Sequence, residues 1–330
     1  MAYTTSFTLE QGVVNVTDPS EVSGVTVDEI GKKLVYRALV SCSNIDIASS
    51  GKGSLRKGPT LVVAGNYRCG WSDGTQAYAM QGGNLVSFNG TSVTVLQSGL
   101  SATADMVFEP GITMYRGGSS TINVVCFTNG EVYGMISAGR VVSCVASDED
   151  FKYAMPPGQC LCAGGGRMYV GKGAAIYASE PFDMESRDER FDTVPFDKTV
   201  TMIRRADTGI YVSTLERVYW HPGLDLTQKD LTQAQAHYSP AIPGASLRIH
   251  SEKLGLKGVT GHVAVWAAEE GVCCGTDTGQ IINISADRVS YAPGKKAALV
   301  LREYNGMTHF IVVMREPGTA KNKFTSRLFT

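Results

Sequence analysis

Residues Gly166 to Gly173 read G-R-M-Y-V-G-K-G. The spacing fits the start of a P-loop, in which a glycine-rich turn cradles phosphate and a lysine reaches it. A P-loop then needs a Ser or Thr hydroxyl for magnesium, and here Gly173 stands in that place. It also needs a helix, whose N-terminal N–H groups hold the phosphate. The next residues are A-A-I-Y-A-S-E-P-F-D, where Ile176 and Tyr177 suit a strand and Pro181 would interrupt a helix early. A second candidate is the acidic run S-E-P-F-D-M-E-S-R-D-E-R-F-D, with Glu180, Asp183, Glu185, Asp188, Glu189 and Asp192. Paired carboxylates hydrolyse glycosides when they flank the scissile bond. These are interleaved with Arg187 and Arg190 on one loop, so a solvated or subunit-facing loop is expected. The spacing does not follow the D-x-D-x-D-G pattern of a calcium loop.

G-W-S-D-G-T-Q, Gly70 to Gln76, is similar to the Asp-box turn of sialidase-type proteins, S-x-D-x-G-x-x-W. Here Ser72 and Asp73 are adjacent and the tryptophan precedes them, so a plain turn at Asp73 and Gly74 is expected. The histidines His221, His237, His250, His262 and His309 are scattered singly. Neither H-E-x-x-H nor G-x-S-x-G occurs. The eight cysteines make no C-x-x-C pair and read as buried free thiols. Cys160 and Cys162 alternate and should share a strand face, whereas Cys273 and Cys274 should point oppositely. No enzyme, cofactor or metal site is expected. Lys52, Arg56 and Lys57 lie in G-K-G-S-L-R-K-G-P, and Lys321, Lys323 and Arg327 near the end. Placed around a channel, such groups could face phosphates without contacting bases.

The elements that must position these residues are short strands. Among 330 residues, 43% are hydrophobic but only 18% charged, and 37 are glycine. That balance favours strands joined by tight turns. The net charge of −1 gives no overall basic field for DNA. The N-terminus has no secretion-signal pattern and no apolar run is long enough to span a bilayer, so a soluble protein made in the cytosol is expected.

A hairpin recurs: a short apolar strand, a turn rich in Gly, Asn or Asp, then a strand often ending in an aromatic. The turns fall near Gly82 and Gly83, Gly130, Gly171 to Gly173, Leu215, and Asp277 to Gly279, at intervals of about 47, 42, 43 and 62 residues. This period predicts an all-β protein, a β-propeller of about six blades, with five or seven as alternatives and few or no helices. G-K-G then becomes a hairpin turn in register with Q-G-G and T-N-G. Strands are expected at 4–9, 12–16, 33–40, 45–48, 297–303 and 308–314, with strands from the two ends closing the ring. One domain, 1–330, is expected, with 224–250 as a rim insertion and 225–236 as a short helix or ordered insertion.

Three segments carry a family resemblance: G-S-L-R-K-G-P-T-L-V-V-A-G from Gly53, I-Y-A-S-E-P-F-D from Ile176, and G-I-Y-V-S-T-L-E-R-V-Y-W-H-P-G from Gly209. They resemble the tail nozzle and head–tail stabilisation proteins of short-tailed bacteriophages, over roughly residues 10 to 290. That resemblance implies a virion tail protein, synthesised in the host cytoplasm. It implies a propeller protomer in a ring, commonly a hexamer, beneath the portal and its adaptor. Genomic DNA would pass through the channel without sequence-specific binding. The family brings no catalytic residues. Its functional surfaces are subunit contacts and channel loops, for which Lys52, Arg56, Lys57, Glu180, Asp183, Arg187 and Arg190 are the candidates. A rival reading is a carbohydrate- or host-receptor-binding propeller, glycosidase-like in one form, using Trp71, Trp220, Trp266 and nearby tyrosines to stack on sugars. A cellular interaction propeller is a third, without the usual W-D or kelch signatures.

Overall fold

A computed structural model describes residues 63–114, 120–145, 149–227, 232–235, 238–256, 258–285, 289–291, 296–304 and 307–315. It also gives the strands Phe7–Thr8, Gly12–Val13, Val25–Val27, Lys33–Val35, Ala38–Leu39, Ile45–Ile47, Lys52–Leu55 and Phe324–Phe329. The chain forms two compact units, 60–234 and 1–59 with 235–330.

In the first unit, four antiparallel sheets succeed one another, each a four-stranded meander. Sheet 1 comprises Tyr67–Ser72, Ala77–Gln81, Asn84–Asn89 and Ser92–Gln97. Sheet 2 comprises Val107–Thr113, Ile122–Thr128, Tyr133–Ser137 and Arg140–Val142. Sheet 3 comprises Cys160–Gly164, Arg167–Lys172, Ala175–Ala178 and Thr193–Pro195. Sheet 4 comprises Val200–Arg205, Gly209–Thr214, Val218–Pro222 and the edge strand Gln233–Gln235.

The sequence explains why these sheets stack. The run Val124-Val125-Cys126-Phe127 is apolar at every position, which suits a strand buried on both faces. Alternate side chains point opposite ways. Val125 and Phe127 pack with Tyr78, Met80 and Leu85 of sheet 1. Val124 and Cys126 pack with Leu161, Met168 and Val170 of sheet 3. Cys160, Cys162 and Tyr169, on the other face of sheet 3, meet Val200, Ile203 and Ile210 of sheet 4. The first strands of sheets 2, 3 and 4 lie nearest one another. Successive four-stranded meanders stacked face to face are the construction of β-propeller blades. The all-β expectation therefore holds.

In the second unit, sheet 5 comprises Ala241–His250, His262–Ala268, Gly271–Gly275 and Ile281–Asn283. After it comes a three-stranded sheet of Lys296–Tyr304, Met307–Arg315 and Phe324–Phe329. Val263, Val265 and Cys274 of sheet 5 pack with Leu299, Phe310 and Val312 of that sheet. Lys52–Leu55 pairs with both Phe7–Thr8 and Ile45–Ile47. A 3-10 turn, Ser251–Leu254, ends at Gly255 with φ 62°.

Several expectations need correction. The hairpins at Gly82, Gly130, Gly173 and Leu215 each join the second and third strands of a sheet. The turn at Asp277 and Gly279 joins the third and fourth strands of sheet 5. Its true counterpart is Glu269-Glu270, followed at once by Gly271 at φ 132°, which brings the last interval to about 55 residues. Gly171 is no turn residue. It lies inside the strand Arg167–Lys172, where an added Cβ would collide with the Cys160 sulfur. The turn itself is made by Gly173, at φ 56°. Gly83 has no positive φ, and its missing Cβ leaves room for the Leu100 carbonyl. No helix forms among the described residues of 225–236, and 241–250 is the first strand of sheet 5. The opening P-loop pattern is strand, tight turn, strand.

Candidate functional site

The acidic run is a fourteen-residue excursion, 179–192, between the third and fourth strands of sheet 3. It leaves over the sheet 2–3 junction. Phe182 donates its N–H to the Gly166 carbonyl, and its own carbonyl accepts from Thr113 Oγ1 at 3.0 Å and from the Met114 N–H at 2.6 Å. Met184 then inserts between the two sheets, fully buried among Cys126, Met135 and Met168. An added Cβ at Gly111 would occupy the space of the Met184 thioether, so that glycine makes the room. Beyond Met184, Ser186–Asp188 pairs antiparallel with Lys152–Ala154, matching Lys152 with Asp188 and Tyr153 with Arg187.

Five carboxylates of this ribbon have partners. Glu180 bonds Lys152 Nζ, which also lies 3.5 Å from Asp188 Oδ2. Arg190 grips Asp188 with two donors, Nε at 3.0 Å and Nη2 at 2.7 Å. Asp192 accepts from Arg167 Nη1 at 2.8 Å and from the Asp188 N–H at 2.9 Å. Glu185, buried, accepts from the Val145 N–H at 2.7 Å, and Asp183 accepts from the Glu185 N–H at 3.1 Å. The hydrogen bonds from Arg190 hold the Asp188 carboxyl well below the usual carboxylate range. Burial pushes Asp192 the other way, against the pull of the Asp188 N–H and Arg167. For Lys152, burial opposes the charge, but the bonds to Glu180 and Asp188 outweigh it and raise the ammonium. Glu180, Asp188 and Asp192 are thus held by cations, and Glu185 and Asp183 by backbone N–H groups.

The ribbon's outer side is aromatic. Phe151 is 54% exposed, Tyr153 47% and Phe191 49%. Arg190 lies over the rings of Phe151 and Phe191, at 4.5 and 5.1 Å from their centroids. Arg187 lies between Tyr153 and Tyr177, at 5.5 and 5.1 Å. Phe151 sits at φ 65°, a conformation that bulky residues avoid.

The structure thus gathers Glu180, Asp183, Arg187 and Arg190 into one ribbon. Lys52 lies in a strand of the other unit, and Arg56 and Lys57 fall outside the described residues. Phe151, Lys152 and Tyr153 were missed by sequence reasoning. Their alternation signals a strand, but nothing local says that it pairs with residues 186–188.

The other candidates resolve as structure. Asp73 Oδ1 accepts from the N–H groups of Thr75 and Gln76 at 2.8 and 2.7 Å, closing a plain turn. That turn borders a groove of ≈ 490 Å³ with Pro110, Ile112 and Ile136. Trp266 and Trp220 are buried, and Trp71 stacks on Tyr78 with centroids 5.9 Å apart, so the three tryptophans form no common platform. His221 bonds Thr232 Oγ1 and the Asp225 carbonyl. Burial pushes the Cys126, Cys160, Cys162 and Cys274 thiols up to about 12.

No protein-family model matches the chain, and no curated protein matches it. Among solved structures, the chain is similar to BBS1N, crystallised in complex with ARL6DN, at 9% identity, covering 72% of each chain with a TM-score of 0.45. It is similar to PorZ, a surface component of the type-IX secretion system of Porphyromonas gingivalis, at 10% identity and TM-score 0.47, covering 81% of this chain and 34% of that one. The AfRom2 CNH domain matches at 10% identity, covering 94% of each chain, with a TM-score of 0.46.

Proposed function

We propose that this chain is a structural virion protein of a bacteriophage tail, a propeller subunit that assembles beside other tail proteins around the DNA-exit channel. The observation that carries the reading is the fate of the charged loop, the best place for chemistry in the sequence. Four of its charged groups, Glu180, Asp188, Arg190 and Asp192, are held in ion pairs, while Phe182 and Met184 fasten the loop to sheet 2, as suits a scaffold. Two of the three segments behind the phage-tail resemblance fall on this architecture. Ile176 to Asp183 forms the third strand of sheet 3 and enters the excursion, and Gly209 to Gly223 is the central hairpin of sheet 4. The net charge of −1 suits a channel wall that DNA must pass without sticking. The test is the protein content of purified particles made from the genome that encodes the chain. The expected result is this chain at a fixed, multi-copy ratio to the portal. Its absence from particles that are otherwise complete would overturn the reading.

A further inference from the structure

His250 and His262 are scattered in sequence but opposed in the fold. They are the last matched pair of the first two strands of sheet 5, Ala241–His250 and His262–Ala268. Their ring centroids are 5.2 Å apart, with the ring planes at 82°. The connection between them is held at its neck, where Ser251 donates its N–H to the Gly261 carbonyl at 2.8 Å. The 3-10 turn Ser251–Leu254 sets Glu252 beside His250, with Oε2 3.4 Å from Nδ1.

That nitrogen is left over by the protein's own hydrogen bonding. His250 stands at the N-cap of the 3-10 turn, yet its side chain makes no cap. The Nδ1 atom itself is buried and makes no hydrogen bond, whereas buried polar atoms normally have a partner. The spacings suit an ion between the groups. Two imidazoles on one tetrahedral zinc, with Zn–N of about 2.0–2.1 Å, have centroids about 5.2 Å apart, and a carboxylate oxygen on the same ion lies about 3.3 Å from a ligating nitrogen. The neighbouring cation, Lys253, is engaged by Glu303 at 2.5 Å. No three metal-ligating groups already surround one point among the described residues, so the ion must draw Glu252 in, a move open to a side chain 86% exposed.

We propose that His250, His262 and Glu252 form a site for a divalent transition-metal ion of the zinc class, with water completing its shell. Imidazole suits zinc, whereas magnesium and calcium take oxygen ligands. An ion bound there clips together the ends of two strands and the turn between them, and so stabilises sheet 5. The inference is independent of the tail-protein reading.

The experiment is calorimetric titration of the chelator-washed full chain with zinc, for wild type, His250→Gln, His262→Gln and Glu252→Ala, with magnesium as the control ion. Melting temperature with and without zinc is read alongside, and cobalt is substituted for zinc because its absorption reports the ligands. Wild type should bind one zinc ion per chain, melt higher with zinc and ignore magnesium. Loss of a group that merely supports a metal ligand costs about 10–100-fold in affinity, so each histidine variant should bind at least about tenfold more weakly. Glu252→Ala, at an exposed position, should also bind more weakly, and it keeps the test decisive if a histidine variant fails to fold. The cobalt spectrum should lack a thiolate charge-transfer band. Wild type without saturable zinc binding, a thiolate band, or folded variants that bind like wild type would overturn the proposal.

Discussion

Phe127 and Gly134 face each other across neighbouring strands of sheet 2, and the phenyl ring fills the space where a residue-134 side chain would stand. Phe127 is fully buried in the core shared with sheet 1. Each residue is thus the condition for the other. Gly134→Val should cost about 1–3 kcal/mol by overpacking, and Phe127→Ala about 3–5 kcal/mol through the cavity it leaves. Chemical denaturation of both single variants and the double should show non-additivity, the double costing less than the sum. Additive losses would mean that the ring does not occupy that space.

Gly171 and Gly173 should respond differently to one substitution. Gly173 needs a positive φ but has open space around it, so Gly173→Asn should cost only a few tenths of a kcal/mol. Gly171 sits against Cys160 and Val200, so Gly171→Asn should cost several-fold more. Thermal melting of the two variants separates a turn glycine from a packing glycine. Equal losses would contradict the assignment.

Acid should loosen the ribbon at Asp188. Its folded carboxyl is held below its ordinary value, so the stabilisation is fully present above about pH 4 and is lost as pH falls through the folded value. Asp188→Asn should lower the melting temperature at neutral pH, and the difference from wild type should shrink towards about pH 2. Asp192 has the opposite sign, since burial raises it and protonation relieves the penalty. Asp192→Asn should therefore lose less at neutral pH, and its gap should not close in acid in the same way.

The buried thiols should be silent in the native protein. Cys126, Cys160, Cys162, Cys273 and Cys274 are buried, and burial raises each of them. Thiolate is the reactive form, so an aromatic disulfide reagent at mildly alkaline pH should modify these five only as fast as the chain unfolds. Rapid modification of any of them, located by mass spectrometry of peptides, would show that its sheet interface is open.

Much of the strand pattern was legible because the physics is local. Apolar runs, glycine turns and a regular interval identified the hairpins at Gly82, Gly130, Gly173 and Leu215. The pattern misled at Asp277 because T-D-T-G is a turn too, but the one between the third and fourth strands, and it is longer and more conspicuous than the two-residue turn Glu269-Glu270 before Gly271. It misplaced Gly171 for a related reason. A glycine that avoids a collision and one that permits a positive φ are the same letter. The ribbon was only half legible. Composition showed that 180–192 mixes acids with arginines, but its pairing with Lys152–Ala154 depends on contact across some thirty residues, and on Met184 finding a gap made by Gly111.

The Met184 insertion has a consequence for how the molecule comes apart. In a stack of repeats, stability is close to a sum of repeat and neighbour terms, and each repeat can open nearly alone. A segment that starts in sheet 3, wedges against sheet 2 and returns ties the two into one cooperative unit. Amide hydrogens of Ile122–Thr128 and Arg167–Lys172 would then exchange with a single shared opening free energy, and a chain ending before residue 184 would leave sheet 2 with an unfinished side.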